Sequence, residues 1–279
     1  MSGLSPGRLP SRVGARNALF QQWSALLTNR SVRSRTGQFL VHGVRPVTLA
    51  VRSGHRVDAL LRPAGAEPTS WARDTVDAAR VPVVDVDPAL LAELGGKDDA
   101  SVPELLALAA IPPDDLDRID PAAGPVLVMD RPASPGNVGT LVRSADAFGA
   151  AGVVVAGHAA DPYDPRAVRA STGSVFTVPV VRVDAAAEVL AWADRARAGG
   201  VPLVVVGTDE TGSAPVDEAD LTGPCLLVVG TEATGMSRAW REACDTTVAI
   251  PIGGGASSLN AAAAGSVVLY EAARQRRRA

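Results

Sequence analysis

Ile250-Pro251-Ile252-Gly253-Gly254-Gly255-Ala256-Ser257-Ser258-Leu259-Asn260 is the stretch on which the reading of this chain turns. It follows a short apolar run, Thr247 to Ile250, and leads into Ala261-Ala262-Ala263-Ala264, the opening of a helix. Glycine and small side chains at this density let another molecule approach the main chain closely. Asn260 stands at the junction and has the residue type of a helix N-cap. Two upstream segments share this character. One is Pro135-Gly136-Asn137-Val138-Gly139-Thr140-Leu141-Val142-Arg143, and the other is Val228-Val229-Gly230-Thr231-Glu232-Ala233-Thr234-Gly235.

Between and around them the pattern is regular. Val126–Met129, Val153–Ala156, Val180–Val183, Leu203–Val206, Leu226–Val229 and Thr247–Ile250 read as strands of four or five residues. They alternate with helices expected over Asn137–Phe148 and Ala185–Arg197, and such alternation means a parallel sheet covered on both faces. The ordinary nucleotide folds fail on particular residues. The first strand of this region leads into Asp130-Arg131-Pro132 instead of a G-x-G-x-x-G turn. Gly230 and Gly235 give G-x-x-x-x-G, but Met236-Ser237 stands where a phosphate loop needs Lys-Ser/Thr.

Taken in order, the three segments resemble the signature of the SpoU (TrmH-type) branch of the knotted SPOUT RNA methyltransferases. The resemblance extends over Pro125 to Arg278, with support from Ala145-Asp146-Ala147-Phe148-Gly149 and Arg169-Ala170-Ser171-Thr172-Gly173-Ser174. It implies an α/β fold with a deep trefoil knot in a C-terminal parallel-sheet domain. It also implies S-adenosylmethionine as methyl donor and a homodimer formed through the knot domain, with a site that borrows groups from both subunits. Phe39-Leu40-Val41-His42-Gly43 resembles the start of the smaller L30e-like RNA-binding domain of the family, although His42 stands where an acid is common.

The domain reading is a basic helical arm over 1–36, the L30e-like domain over 37–112, a linker over 113–124 and the SPOUT domain over 125–279. In the first part, helices are expected over Ser11–Thr28, Pro46–Ser53, Trp71–Arg80, Pro88–Leu94 and Val102–Ala110, and strands over Phe39–Val41, Val57–Leu61 and Val81–Val86. Prolines, acids and glycine crowd Ile111 to Pro125 without apolar periodicity, as in a linker.

The net charge of −3 conceals an asymmetry. Met1 to Arg56 carries nine arginines and no acid, whereas the rest holds 18 basic and 30 acidic groups, a balance of −12. A basic segment on an acidic enzyme suits a polyanion, so Arg12, Arg16, Arg30, Arg33, Arg35 and Arg45 are the candidate RNA contacts. Three scattered histidines and two cysteines lack metal-ligand spacing, so no metal is expected. There is no apolar run of membrane length and no apolar signal core. Two cysteines indicate a reducing compartment, so the expected place of action is the cytoplasm.

By resemblance, S-adenosylmethionine contacts fall on Thr208, Gly230, Ile250 and Leu259, largely through main-chain groups. The catalytic set is Asn137, Arg143, Glu232, Ser258 and Asn260. Arg143 is the leading member. Its guanidinium hardly ever releases a proton, so orienting the ribose and stabilising a developing oxyanion suit it better than acting as base. Asn137 reads as the cap of its helix as well as a substrate contact, and Glu232 as a partner for Arg143 or a neighbour of the sulfonium. The implied reaction is 2′-O-methylation of a ribose in ribosomal RNA, 23S rRNA first. Self-resistance enzymes of antibiotic-producing bacteria belong to this branch, so antibiotic resistance is part of the expectation. A tRNA ribose methyltransferase and a non-catalytic ribosome-assembly factor are the alternatives.

Overall fold

In the computed structural model of the chain, residues 9–96 and 102–278 are described. The chain divides into two compact units, Met1–Pro112 with Tyr163–Phe176, and Pro113–Pro162 with Thr177–Ala279.

The first unit runs β1 (Arg12–Val13), α1 (Ala18–Thr28), α2 (Arg30–Thr36), β2 (Gln38–His42), α3 (Val44–Arg52), β3 (Val57–Pro63), α4 (Ser70–Ala79), β4 (Val83–Val86), α5 (Pro88–Gly95) and β5 (Leu106–Ala110). Its sheet has the order β1-β4-β3-β5-β2, parallel from β1 to β3 and antiparallel through β5 to β2. Asn17 caps α1 by accepting from the Phe20 amide at 3.0 Å, and Asn29 caps α2 in the same way. Two caps so close together break the run into two helices. Gly37, at φ +64°, ends α2 in the left-handed region that glycine adopts freely. One face of α1 buries Phe20, Trp23 and Leu26. Burial is worth roughly 1.5–3 kcal/mol for a side chain such as Phe20 or Leu26.

Four expectations are corrected here. The helix expected over Val102–Ala110 is strand β5, lying between β2 and β3. Leu106 to Ala109 are buried, and a five-residue run that is apolar on every side suits a sheet interior better than a helix with one wet face. The arm over 1–36 is, in its described part, not separate: Arg12 and Val13 pair with Asp85 and Val86, and α1 and α2 share a core with β2, β3 and β4. Pro46 sits in the third position of α3 instead of opening it. Finally, Tyr163–Phe176 joins this unit although it follows the start of the second. Phe39 packs on Tyr163 (centroids 4.9 Å apart) and on Phe176 (6.1 Å), and the helix Pro165–Ser171 lies against β2.

The second unit runs β6 (Val126–Asp130), α6 (Pro135–Ala147) and β7 (Gly152–Ala156), then, after the Pro165–Ser171 helix (α7), β8 (Val180–Val183), α8 (Ala186–Ala198), β9 (Val204–Thr208), β10 (Ala214–Pro215), β11 (Cys225–Val229), α9 (Arg238–Ala243), β12 (Thr246–Ala249) and α10 (Ala261–Arg276). All seven strands are parallel, in the order β10-β12-β9-β11-β6-β7-β8. Val126, Val128, Val154, Val181, Leu226 and Val228 pack on one side with Trp192 of α8 and Trp240 of α9. On the other side α10 lies against α6 and β11, where Gly265 leaves room for Leu141 and Val229. The expected linker over 113–124 is packed onto this unit. Ile119 is buried in its core, Asp114 pairs with Arg182 at 2.7 Å, and Arg118 donates to the Val180 carbonyl at 3.2 Å.

Candidate active site and cofactor pocket

Ligands of parallel α/β sheets sit beyond the carboxyl ends of the strands, and a cavity of the second unit lies there. It measures about 460 Å³ and opens at the ends of β9, β11 and β12. Thr208, Gly230, Ile250 and Leu259 all line it, joined by Glu232 and Ser258. The Thr208 hydroxyl donates to the Val228 carbonyl at 3.0 Å. Ser258 is exposed and makes no hydrogen bond with the described residues.

The loop after β11 is fixed from three directions. Thr231 and Gly235 exchange main-chain hydrogen bonds of 3.1 and 2.9 Å across its neck. Gly230 presses against the same neck: a Cβ there would overlap the Gly235 carbonyl carbon and the Met236 amide nitrogen. From the end of β6, the buried Asp130 accepts from the Ser237 amide at 2.6 Å and is held by a two-pronged bond from Arg131. From α9, Arg241 donates to the carbonyls of Met236 (2.8 Å) and Thr234 (3.0 Å). Arg131 adopts φ +52°, an uncommon conformation for a residue with a side chain. Asp130, Arg131 and Arg241 escaped the sequence reading. A signal existed for the first two, because Asp130-Arg131 breaks the apolar run of β6 at its carboxyl end.

At the tip of this loop Glu232 gathers the motif residues. Its Oε1 accepts from Asn137 Nδ2 at 2.8 Å and from Asn260 Nδ2 at 2.5 Å, with the Ala261 amide at 3.4 Å. Asn260 also caps α10, its Oδ1 accepting from the amides of Ala262 (2.9 Å) and Ala263 (3.3 Å). One side chain thus fixes both the helix start and the carboxylate. Asn137 is not the cap of α6. Ser134 takes that place, its Oγ accepting from the Asn137 main-chain amide, with Pro135 first in the helix, and so the Asn137 side chain is free to donate from Nδ2 to Glu232. Glu232 does not pair with Arg143. The arginine lies six residues beyond Asn137, on another face of α6, exposed and without an ion pair to any described residue.

A smaller hollow of about 140 Å³ adjoins the far side of the loop, lined by Met129, Pro132, Ala133, Asn137 and Leu141. Glu232 borders both spaces.

Of the six arginines marked for RNA, Arg12, Arg30, Arg35 and Arg45 are exposed. Arg16 is exposed but pairs with Glu93 at 2.8 Å and covers the Phe20 ring at 5.8 Å. Arg33 is a correction: only 2% exposed, it donates to the Leu26 carbonyl at 2.7 Å and faces Asp164 at 3.8 Å. It cross-links α1, α2 and α7 and cannot meet RNA. Charge counting along a sequence does not distinguish a buried guanidinium from a wet one. Among the described residues no group of three His, Cys, Asp or Glu is placed to hold a metal ion, and no helix is long and apolar enough to cross a membrane.

The geometry agrees with what similar proteins show. Residues 124–270 match the SpoU rRNA Methylase family and residues 17–107 match the SpoU L30e-like domain. The chain is 53% identical over 267 residues to the 23S rRNA (uridine(2479)-2′-O)-methyltransferase of Streptomyces viridochromogenes, covering 95% of this chain and 92% of that one. The crystal structure of the SpoU methyltransferase AviRb from the same organism, in complex with AdoMet, superposes with a TM-score of 0.89 at 52% identity, over 94% of this chain and 99% of that one. An AdoMet-bound rRNA methyltransferase from Sinorhizobium meliloti gives 0.80 at 27% identity, over 95% and 98%. With both of its units matched in sequence and in three dimensions, the chain belongs to the SpoU rRNA methylase family.

Proposed function

We propose that this protein transfers a methyl group from S-adenosylmethionine to a ribose 2′-hydroxyl of 23S rRNA. The observation that carries the reading is the Asn137–Glu232–Asn260 cluster at the edge of the 460 Å³ cavity, in a chain 53% identical to a 23S rRNA 2′-O-methyltransferase. The cavity suits a cationic cofactor. Its lining carries the carboxylates of Asp209, Glu210 and Glu232 against the single guanidinium of Arg241, which is already engaged with loop carbonyls. When bound, the cofactor supplies a methyl group on a sulfonium, ready for displacement. The main chain at Thr208, Gly230, Ile250 and Leu259 holds it and excludes water. The rigid loop then aligns the reacting atoms, a contribution worth up to ~7–11 kcal/mol at best.

The working form in this reading is a homodimer. Ala263, Val267 and Tyr270 form an exposed stripe on α10, and Thr140 and Arg143 are exposed on α6, the helix on which α10 packs. Val267 and Tyr270 are apolar side chains 38% and 49% exposed, so a second copy has something to cover there. Arg143 stands away from its own chain's Glu232, and covering this face carries it to the partner's site to orient the ribose-phosphate. The deep knot belongs to the same proposal. After β12 the chain returns past β9 to lay α10 on α6 and β11, a course that a knotted loop would take. RNA contact falls to Arg12, Arg30, Arg35 and Arg45 of the first unit, and the place of action is the cytoplasm, where ribosomes are.

The test is transfer of labelled methyl to unmodified 23S rRNA and, separately, to tRNA, followed by nucleoside mass spectrometry. A 2′-O-methylated nucleoside from 23S rRNA alone supports the proposal, and one from tRNA alone sinks it. Expression in a sensitive host, with growth scored on ribosome-directed antibiotics, decides whether the mark confers resistance.

A further inference from the structure

A further cavity, of about 210 Å³, lies wholly within the first unit, between the carboxyl end of β3, one face of α4 and the approach to β5. Pro63, Pro68, Ala72, Val76 and Leu105 give it apolar walls. Charged groups stand among them, Arg62 and Arg73 against Glu67, Asp77 and Glu104. Three of these are already engaged. Arg62 donates to Asp85 at 2.7 Å and Arg73 to the Pro68 carbonyl at 2.6 Å, while Glu104 accepts from the Thr69 amide at 2.5 Å. Glu67 and Asp77 accept from no described residue. Resting on the RNA methylation proposed above, we infer that this cavity receives one unstacked base of the RNA, a base that carries an exocyclic amino group.

Size, polarity and position each support this occupant. A cavity of about 150 Å³ accepts one benzene-sized ring, so 210 Å³ holds a base with its substituents. Proteins read RNA sequence on bases splayed out of the stack, because the A-form helix hides base edges in a deep groove. The lining has one more carboxylate than guanidinium, which repels phosphate from the interior and favours entry by a base. Carboxylates accept from amino groups such as that of cytosine; the two carbonyls of a uracil edge would face them unfavourably. The sheet register then supplies the phosphate contacts outside. Arg12 pairs with Asp85 and Asp85 with Arg62, so the three side chains form a row across β1, β4 and β3 that ends at the cavity. Arg12 is exposed, and Arg62 uses only Nε on Asp85, which leaves both Nη groups for phosphate. Leu106 meets His42 of β2 on one side and Leu61 of β3 on the other, so the exposed Arg45, just past β2, stands at the same sheet edge.

The experiment uses the full chain with an in vitro transcript of 23S rRNA. The complex is probed with dimethyl sulfate and kethoxal, which modify the Watson–Crick edges of unpaired A, C and G, and with a carbodiimide, which modifies U. Ala66→Trp, on the exposed rim, fills the mouth of the cavity. It should weaken transcript binding about tenfold, the low end of what one well-bonded base contributes. Protection of one amino-bearing base should disappear while the rest of the footprint, the cofactor affinity and the melting temperature stay as in wild type. The double variant Glu67→Ala, Asp77→Ala leaves the cavity open and should lose the same protection. Wild-type affinity and footprint in both variants overturn the inference, as does a lost protection confined to uracil. A normal footprint on the bare transcript with activity lost only on large ribosomal subunits also overturns it, by showing that a cationic side chain of a ribosomal protein fills the cavity. A wild-type chain that methylates no 23S rRNA would instead refute the function itself; the footprint is read without methyl transfer, so the two failures are distinct.

Discussion

Asn260 performs two tasks whose energies can be separated. Its Oδ1 caps α10, and its Nδ2 donates to Glu232. Asn260→Ala removes both. Loss of an N-cap costs about 1 kcal/mol, and loss of one bond to a carboxylate as exposed as Glu232 costs roughly another 1 kcal/mol after solvent screening. A domain of 150–250 residues shifts by about 2–4 °C per kcal/mol, so the melting temperature should fall by about 4–8 °C. Asn260→Ser keeps an equally good cap but cannot reach Glu232. It should fall by only about 2–4 °C, yet lose as much turnover as the alanine variant, about tenfold, the factor that 1.4 kcal/mol of misplaced carboxylate represents. Scanning calorimetry beside methyl-transfer kinetics on the same samples decides the matter. Wild-type turnover in Asn260→Ser would show that the bond to Glu232 is idle. Identical melting points for the two variants would show that the cap is.

Further expectations concern other parts of the molecule. Gly230→Ala should abolish calorimetric cofactor binding, because the added methyl group collides with the Gly235–Met236 backbone and forces the loop open; affinity within threefold of wild type would contradict the close approach. Arg33→Ala should destabilise the first unit by about 3 kcal/mol, since Asp164 and the Leu26 carbonyl lose a buried partner. Arg35→Ala should leave the urea midpoint unchanged and lower the salt slope of RNA binding by about one. A pH dependence resides at Glu271, whose carboxyl is held below its usual range by the Arg274 guanidinium, against the opposing effect of burial and with help from Gln275. A lowered value in the folded state means that the pair stabilises the fold above the unfolded glutamate pKa of about 4.3. That stability is lost as the pH falls through the folded value. Glu271→Gln should therefore be less stable than wild type at neutral pH and converge with it in acid, as urea midpoints across the range would reveal.

Much of the site could be read from residue order, since chemistry constrains it locally. A carboxylate in a tight loop, two asparagines near helix starts and a run of small residues are each visible without a structure. Their partners were not. Glu232 meets Asn137 and Asn260 across 95 and 28 residues, and nothing local separates that arrangement from the pairing with Arg143 that the motif suggests. Nor did Asn137 announce that Ser134 would take its cap. In the second unit, strands such as β6 and β11, buried along their whole length, stood out as apolar runs. In the first, β5 is just as apolar but rich in Leu and Ala, good helix formers, and only its neighbours β2 and β3 decide between helix and strand. The arginine-rich beginning misled in another way. A count of charges registers Arg33 and Arg35 alike, although one is 2% exposed and the other faces water.

The first unit is discontinuous in the chain, and this bears on how the protein comes off the ribosome. Its sheet could start to form once β5 is made, but the aromatic layer over Phe39 and the anchor for Arg33 arrive only with Tyr163 to Phe176. By then β6, α6 and β7 have already emerged, and β6 must wait for β11 about 100 residues later. Asn137 likewise waits 123 residues for Asn260, roughly 6–25 s at ordinary elongation rates of about 5–20 residues per second. Neither unit can be finished before the other is begun. A nascent chain therefore carries two incomplete cores from the emergence of β6 until Phe176 is made, and a fragment ending at Pro112 would lack the Tyr163–Phe176 segment of its own unit. Evolution by exchange of whole domains is difficult for such a molecule, because the join is crossed three times.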